Sequence, residues 1–233
     1  GRRPGDAPLS SQPTLSLLEN AVDMRAICRM LFILEFSWIR SLESDRDVVV
    51  LDVDSSGFEA HGQQELISYC GFHQAHIYHP LAVFDGQTGQ LVTALLRPGD
   101  VGDSRGAPNV LKRVIAWLKL LRPEIDVVVR ADSGFATPRL YRTLEHLDEV
   151  FGGVDYLIGI ARNSALEREL RDTMDAAADT YECTGRKARK FVGFEYQAQS
   201  WEKSRWVVGK AEVGPDGENP RFVIGGFREF PAE

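Results

Sequence analysis

Apolar residues occur along this chain in two patterns, as unbroken runs and at helical spacing. Unbroken apolar runs predict strands that are buried on both faces of a sheet, and apolar residues at helical spacing predict helices. The strands are predicted over 47–53, 76–84, 90–96, 125–129 and 155–160. The helices are predicted over 108–122, 138–150 and 164–178, after one or two helices over 23–42. The turn Asp85–Gly89 is a strong hairpin signal.

This order predicts an α/β fold built on a mixed sheet. The first three strands form an antiparallel meander, and the strands that alternate with helices add βαβ crossovers. The last third differs, because its apolar residues alternate like those of half-exposed strands. The sequence therefore divides into an N-terminal arm with helices (1–45), an α/β core (46–180) and a β-rich section (181–233).

The amino-acid composition excludes several classes of protein. Apolar residues make up 43% of the chain, charged residues 26%, and the net charge is −7. These values exclude a disordered chain and argue against binding nucleic acid through overall positive charge. The longest apolar stretch, 30–39, contains Glu35 and is shorter than the roughly 20 residues of a membrane span, so no membrane partner is expected. Three widely spaced cysteines, Cys28, Cys70 and Cys183, indicate reduced thiols in the cytoplasm.

Two aspartates stand at the ends of predicted strands. Asp54 follows the first apolar run and Asp132 follows the run over 125–129. Because α/β sheets place ligands at the carboxyl ends of strands, we expect the two carboxylates to face each other. Such oxygen ligands suit Mg²⁺ or Mn²⁺. The alternative is that each Asp only caps a turn. Asp52, on the same side of its strand as Asp54, is the reserve candidate.

Several short motifs occur in one order between about residue 10 and residue 227. They are Leu51–Ser56, His61–Leu66, Tyr78–Leu81, Leu95–Gly99, Val129–Phe135, Tyr156–Gly159 and Asn219–Val223. Together they resemble bacterial insertion-sequence transposases of the DDE class, in the branch called DDE transposase group one. The resemblance implies a ribonuclease-H-like catalytic core over 46–180, a β-rich insertion after the second Asp, and Mg²⁺-dependent DNA cleavage and strand transfer.

The resemblance also implies partners and a location. The partners would be double-stranded DNA, as transposon terminal inverted repeats and as target, and a second copy of the chain in a homodimer. The location would be the bacterial cytoplasm, in association with the nucleoid.

The resemblance assigns the first two catalytic, metal-binding acids to Asp54 and Asp132. The family's first Asp precedes a small residue and a Thr, and here Ser55 and Ser56 keep the hydroxyl. The family's third acid is a Glu on a helix beyond the insertion. The chain stops before such a helix, and Glu229 and Glu233 stand in a different context. The expectation is therefore a truncated and inactive transposase core.

Candidate DNA contacts come from three places. Gln63 and Gln64 follow the first strand, and Arg130 precedes the second Asp. The segment 184–210 holds seven basic residues and two acidic ones, interleaved with aromatic residues, which suits contact with DNA. Its candidates are Arg186, Lys187, Arg189, Lys190, Lys203 and Arg205. The alternative is an exposed polar loop and a solvated hairpin with core aromatics.

Two other functions remain open at this point. Asp52-Val53-Asp54 mimics the nucleophile motif of haloacid-dehalogenase-type phosphohydrolases, with Asp52 attacking phosphorus and Asp54 as acid and base. That fold requires a helix soon after the motif, where this sequence predicts strands. The other alternative is a non-catalytic DNA-binding remnant.

Overall fold

A computed structural model describes residues 11–62 and 64–226. Gln63, residues 1–10 of the N-terminal arm, and Glu229 and Glu233 lie outside these residues. The helices are α1 (Gln12–Asn20), α2 (Met24–Ser41), α3 (Ala107–Leu121), α4 (Pro138–Phe151) and α5 (Ser164–Thr184). A short 3₁₀ helix spans Ser133–Phe135.

Twelve strands occur in the described part of the chain. The strands up to α3 are β1 (Val48–Ser55), β2 (Phe58–Glu59), β3 (Ser68–Cys70), β4 (Ala75–Tyr78), β5 (Leu81–Asp85) and β6 (Leu91–Leu95). The later strands are β7 (Asp126–Ala131), β8 (Val154–Ile160), β9 (Ala188–Tyr196), β10 (Arg205–Gly214), β11 (Gly217–Glu218) and β12 (Arg221–Gly225).

Helix boundaries follow the local signals of the sequence. Asn163 precedes α5, and its side chain accepts hydrogen bonds from the backbone N–H groups of Ala165 and Leu166 at 3.0 and 3.1 Å. The helix ends at Gly185, whose φ of 64° is accessible to glycine at little cost. Proline occupies the first turn of α3 and of α4, where its missing N–H has no partner to lose.

The large sheet contains nine strands in the order β11-β10-β12-β8-β7-β1-β5-β6, with β9 added beside β10. The pair β1 and β5 and the pair β5 and β6 are antiparallel, whereas β7 runs parallel to both β1 and β8. This is the predicted mixed sheet of a meander and βαβ crossovers. The β-rich last third continues it, because β12 pairs with β8.

One strand prediction was wrong. The run 76–84 forms two strands, β4 and β5, that belong to different sheets. The chain changes sheet at His79 and Pro80, where the backbone N–H of His79 bonds the carbonyl of Arg97 and proline has no N–H to offer. Strand β4 instead pairs with β2 and β3 in a small three-stranded sheet next to the end of β1.

Helices α2 to α5 pack on one face of the large sheet, which carries the core. Val49, Leu51 and Val53 of β1 point into this core and are buried. On the opposite face, Asp52 is half-buried and Asp54 is exposed. The central strands therefore present their polar residues on the face that these helices do not cover. Among the described residues, no helix combines the length and the apolar content that a membrane crossing requires.

Candidate active site

Asp54 and Asp132 lie side by side at the carboxyl ends of β1 and β7. The parallel register pairs Asp52 with Arg130 and Val53 with Ala131, so the next residue on each chain is one of the two aspartates. Neighbouring strands are about 4.8 Å apart, and both side chains belong to the open face. The tertiary structure thus brings together two acids that are far apart in sequence.

Each carboxylate also makes one local hydrogen bond. Asp54 Oδ1 accepts from the backbone N–H of Ser55 at 2.8 Å. Asp132 Oδ1 accepts from the backbone N–H of Gly134 at 2.9 Å and thereby caps the 3₁₀ helix. The capping alternative therefore holds for Asp132, but it engages one oxygen. The Oδ2 atoms of both residues have no hydrogen bond within the described residues.

The acids form a pair in the described part of the chain. No group of three or more His, Cys, Asp or Glu side chains there is placed to hold a metal ion. The two carboxylates still fit Mg²⁺ or Mn²⁺ by their donor chemistry, because Mg²⁺ commonly takes one or two carboxylates and completes its shell with water and phosphate.

The reserve candidate, Asp52, is engaged elsewhere. Arg130 donates to both of its carboxylate oxygens, at 2.6 and 2.7 Å. This hydrogen bonding raises the pKa of Arg130 above its ordinary value, against the opposing effect of burial. Asp52 therefore serves as the partner of a cation on the neighbouring strand. The haloacid-dehalogenase arrangement also fails on topology, because five strands and no helix separate β1 from α3.

Neither Gln64 nor the three histidines spaced by three residues, His73, His76 and His79, forms a hydrogen bond with Asp54 or Asp132 within the described residues. Gln63 lies outside the described residues, and the exposed Gln64 donates to the backbone carbonyl of His61 at 3.2 Å. Of the three evenly spaced histidines, His73 lies against Gly57, His76 is exposed on β4, and His79 is turned toward a loop. Their side chains form no common site.

Two glutamates form ion pairs with several cations of the predicted basic segment. Lys187, Arg189 and Lys210 surround the buried Glu212. Hydrogen bonds from Lys187 and Arg189 hold the pKa of Glu212 far below its ordinary value, against the effect of burial. Arg186 and Lys190 have no ion pair among the described residues. They are the members of this set whose charge is free.

Arg205 has a structural position, which corrects its assignment to DNA contact. Its side chain is 3% exposed, and Nε and Nη2 donate to Glu145 at 2.8 and 3.2 Å. Its guanidinium lies 4.8 Å from the ring centre of Tyr141 and 5.3 Å from that of Trp201. A phosphate cannot approach a group enclosed in this way. Lys203 also pairs with Glu145, at 3.2 Å, but stays exposed.

The sequence pattern does not indicate one further acid near the site. Asp103 lies on the loop between β6 and α3, and its Oδ1 accepts a hydrogen bond from Ser55 Oγ at 2.8 Å. The loop has no apolar period that would indicate its position. The motif Leu95–Gly99 just before it was the available signal, since its Arg97 is buried and binds the loop's carbonyl groups.

One solved structure is similar enough to this chain to support the fold. A piggyBac transposase in a synaptic complex with hairpin DNA superposes with a TM-score of 0.50 at 11% identity, over 97% of this chain and 42% of that one. This chain thus spans less than half the length of that relative. An endonuclease V of Ciona intestinalis (13% identity, 89% of this chain, 85% of that one) and the NurA nuclease of Sulfolobus solfataricus (8%, 92% and 82%) give TM-scores of 0.33 and 0.36.

The strand order and this superposition identify a ribonuclease-H-like fold. No curated protein sequence matches the chain significantly. The sequence profile described as transposase DDE domain group 1 matches residues 1–233, which is the whole chain. The chain therefore belongs to the DDE transposase domain family, group 1.

Proposed function

We propose that Asp54 and Asp132 together hold a divalent cation, Mg²⁺ or Mn²⁺, and that this site acts on phosphodiester bonds of transposon DNA. The observation that carries the proposal is the parallel register of β1 and β7, which sets two acids of different strands next to each other on an open face. Family membership supports the reaction class, since it makes the chain a transposase domain.

The chain's own residues would divide the work between metal and DNA. Asp54 and Asp132 would supply carboxylate oxygens through their free Oδ2 atoms. A bound divalent cation would neutralise charge on a phosphate and favour the ionised form of an attacking water or hydroxyl. Arg130 lies on the same face, two residues before Asp132; Asp52 offsets its charge, and its Nη1 would be the group left to donate to a phosphate there.

Double-stranded DNA at the transposon ends and at the target is the proposed substrate, and a homodimer in the bacterial cytoplasm, at the nucleoid, is the proposed working form. The open face supports access for a duplex, because helices α2 to α5 lie on the other side of the sheet. The exposed Arg186 and the half-buried Lys190, which have no ion pair within the described residues, support local contact with DNA in a chain of net charge −7.

Catalytic strength is a separate part of the proposal. A pair of acids holds one cation more readily than it holds two cations. The described residues offer no third acid beside the pair. We therefore expect the 233 residues to bind a cation but to cleave DNA weakly or not at all. A non-catalytic DNA-binding remnant remains the second candidate function, and it is favoured by the same lack of a third acid beside the pair among the described residues.

Binding of Mn²⁺ to the full chain tests the metal site directly. Calorimetry or water-proton relaxation should show weak binding that Asp54→Asn and Asp132→Asn each reduce by about tenfold or more. Asp47→Asn is the matched control, because Asp47 is exposed at the opposite end of the same strand, roughly 23 Å away. Equal affinity of the wild type and both site variants would refute the proposal.

Nicking of supercoiled plasmid DNA in the presence of Mn²⁺ then distinguishes an active transposase domain from a non-catalytic DNA-binding remnant. Cleavage that disappears in Asp54→Ala and Asp132→Ala supports the transposase activity. DNA binding without cleavage, in a chain that does bind Mn²⁺, supports the remnant.

A further inference from the structure

The carboxylate of Asp103 touches both strand ends that carry the proposed metal ligands. On the β1 side, Ser55 Oγ donates to Oδ1 at 2.8 Å. On the β7 side, Oδ2 lies against the α-carbon of Gly134, so closely that a Cβ built on Gly134 would be 2.1 Å from it. One side chain therefore spans the gap between the two loops.

The loop that presents Asp103 is firmly held. Arg97 is 4% exposed, and its Nη1 donates to the carbonyl oxygens of Asp103 and Arg105, both at 2.7 Å, while its Nε donates to that of His79 at 2.7 Å. The ring of His79 faces Val101 O through Nδ1 (3.1 Å) and Asp103 Oδ1 through Nε2 (3.3 Å). A buried cation and a half-buried ring thus fix the backbone and the side chain of Asp103.

One residue lies between Asp103 and each proposed metal ligand. Ser55 follows Asp54 directly and its backbone N–H binds the Asp54 carboxylate. Gly134 donates its N–H to the Asp132 carboxylate. Asp103 itself does not combine with these two acids into a three-acid group. Its oxygens face Ser55, His79 and Gly134, so it acts on the ligands through their neighbours.

We propose that Asp103 is a positioning residue that sets the separation and orientation of Asp54 and Asp132; this rests on the proposed function. Two carboxylates on adjacent strands repel each other when no cation is present. A metal site tolerates errors of only about 0.2 Å in ligand distance, so a brace between the loops lowers the cost of bringing the ligands together.

Mn²⁺ affinity of the full chain is the decisive measurement. Asp103→Ala should weaken Mn²⁺ binding by about tenfold, as loss of a residue that orients metal ligands typically does. Asp103→Asn should restore most of the affinity, since its side-chain oxygen still accepts from Ser55. Ser55→Ala should weaken binding like Asp103→Ala, and the double variant should be no worse than either single one.

The controls separate positioning from folding. Asp100→Ala changes an exposed acid of the same loop and should bind Mn²⁺ like the wild type. Thermal unfolding identifies any variant whose loss of binding follows from loss of structure, and the conservative Asn variant keeps the test valid if the Ala variant unfolds.

The other possible results of the Mn²⁺ binding experiment contradict either the positioning role of Asp103 or the proposed metal site. If Asp103→Ala binds Mn²⁺ as the wild type does while Asp54→Asn does not, the positioning role is refuted and the metal site stands. If Asp103→Asn abolishes binding as completely as Asp54→Asn, Asp103 is a ligand and the positioning role is again refuted. If the wild type binds no Mn²⁺, the proposed function fails, and the inference fails with it.

Discussion

Arg130 and Asp52 form a two-bonded ion pair across the parallel strands β7 and β1, with N–O distances of 2.6 and 2.7 Å. The pair lies on the same sheet face as Asp54 and Asp132, because Asp52 and Arg130 each precede one of these aspartates by two residues. The open face therefore carries an ion pair followed by an acid pair. This arrangement explains why the two neighbouring aspartates of β1 have different roles.

The ion pair should contribute little to stability. Its side chains are 49% and 36% exposed, so water and salt weaken the attraction. In a double-mutant cycle with Asp52→Asn and Arg130→Gln, urea unfolding should give a coupling free energy of about 0.5 kcal/mol. A coupling above about 2 kcal/mol would contradict this prediction. Asp52→Asn should also leave Mn²⁺ binding nearly unchanged, in contrast to Asp54→Asn.

Gly134→Ala should destabilise the protein because the new methyl group meets Asp103. The added Cβ would be 2.1 Å from Oδ2 and 2.9 Å from Cβ of Asp103. We expect a loss of about 1–3 kcal/mol in the free energy of unfolding. Asp103→Ala in the same chain should recover part of it, since the nearest atoms are removed.

Gly102→Ala is the control for that substitution. It changes a glycine of the same loop, and its added Cβ would meet no atom within 4 Å. Urea unfolding should show almost no effect. Equal destabilisation by the two alanine substitutions would mean that Asp103 does not occupy the space beside Gly134.

Asp85 should make stability depend on pH in the acid range. Burial raises the pKa of this carboxyl, but hydrogen bonds from Arg46, Trp38 and the backbone of Gln87 outweigh it and lower the pKa from 3.8 to about 2. Because the folded state has the lower pKa, the stabilisation is complete above pH 3.8 and is lost as the pH falls toward 2. It amounts to about 2 kcal/mol.

Urea unfolding of Asp85→Asn between pH 6 and pH 2 checks this. The variant should be less stable at pH 6, and the difference from the wild type should shrink as the pH falls below 4. Asp45→Asn, which changes an exposed acid beside Arg46, is the control. A difference that stays constant from pH 6 to pH 2 would show that folding does not lower the pKa of Asp85.

Free and paired cations of the basic segment should differ in DNA binding. Arg186→Ala and Lys190→Ala should each lower affinity for duplex DNA and reduce the salt dependence, by about one unit of the log–log slope for each phosphate that the variant no longer neutralises. Lys203→Ala should change both less, because Lys203 is already paired with Glu145. Fluorescence anisotropy at several salt concentrations measures this, and equal effects of all three would remove the distinction.

Much of the fold was predictable from local pattern. The runs around Val50, Val128 and Ile158 became central strands, because an unbroken apolar run suits a strand covered on both sides or nearly so. Pro108 marked the start of α3, because proline is tolerated in the first turn of a helix, whereas α5 runs to Thr184, beyond its predicted end at residue 178. The small sheet was not predictable, since its strands of two to four residues are too short to establish a period.

The candidate site was predictable only in part. Asp54 and Asp132 could be placed because each follows an apolar strand, and strand ends share one edge of an α/β sheet. The burial of Arg205 and the pairing of Lys187 and Arg189 could not, because their glutamate partners come from other elements or from later in the chain. Charge in the sequence does not reveal which cations are neutralised.

The sequence by itself determined the order of the long strands and helices, the two aspartates at strand ends and the family, because these depend on residue pattern along the chain. Only the tertiary structure decided that Asp52 pairs with Arg130, that Asp54 adjoins Asp132 and that Asp103 braces both loops. The physical reason is strand register. A shift of one residue between β1 and β7 would separate Asp52 from Arg130 and Asp54 from Asp132 without changing the apolar pattern of either strand.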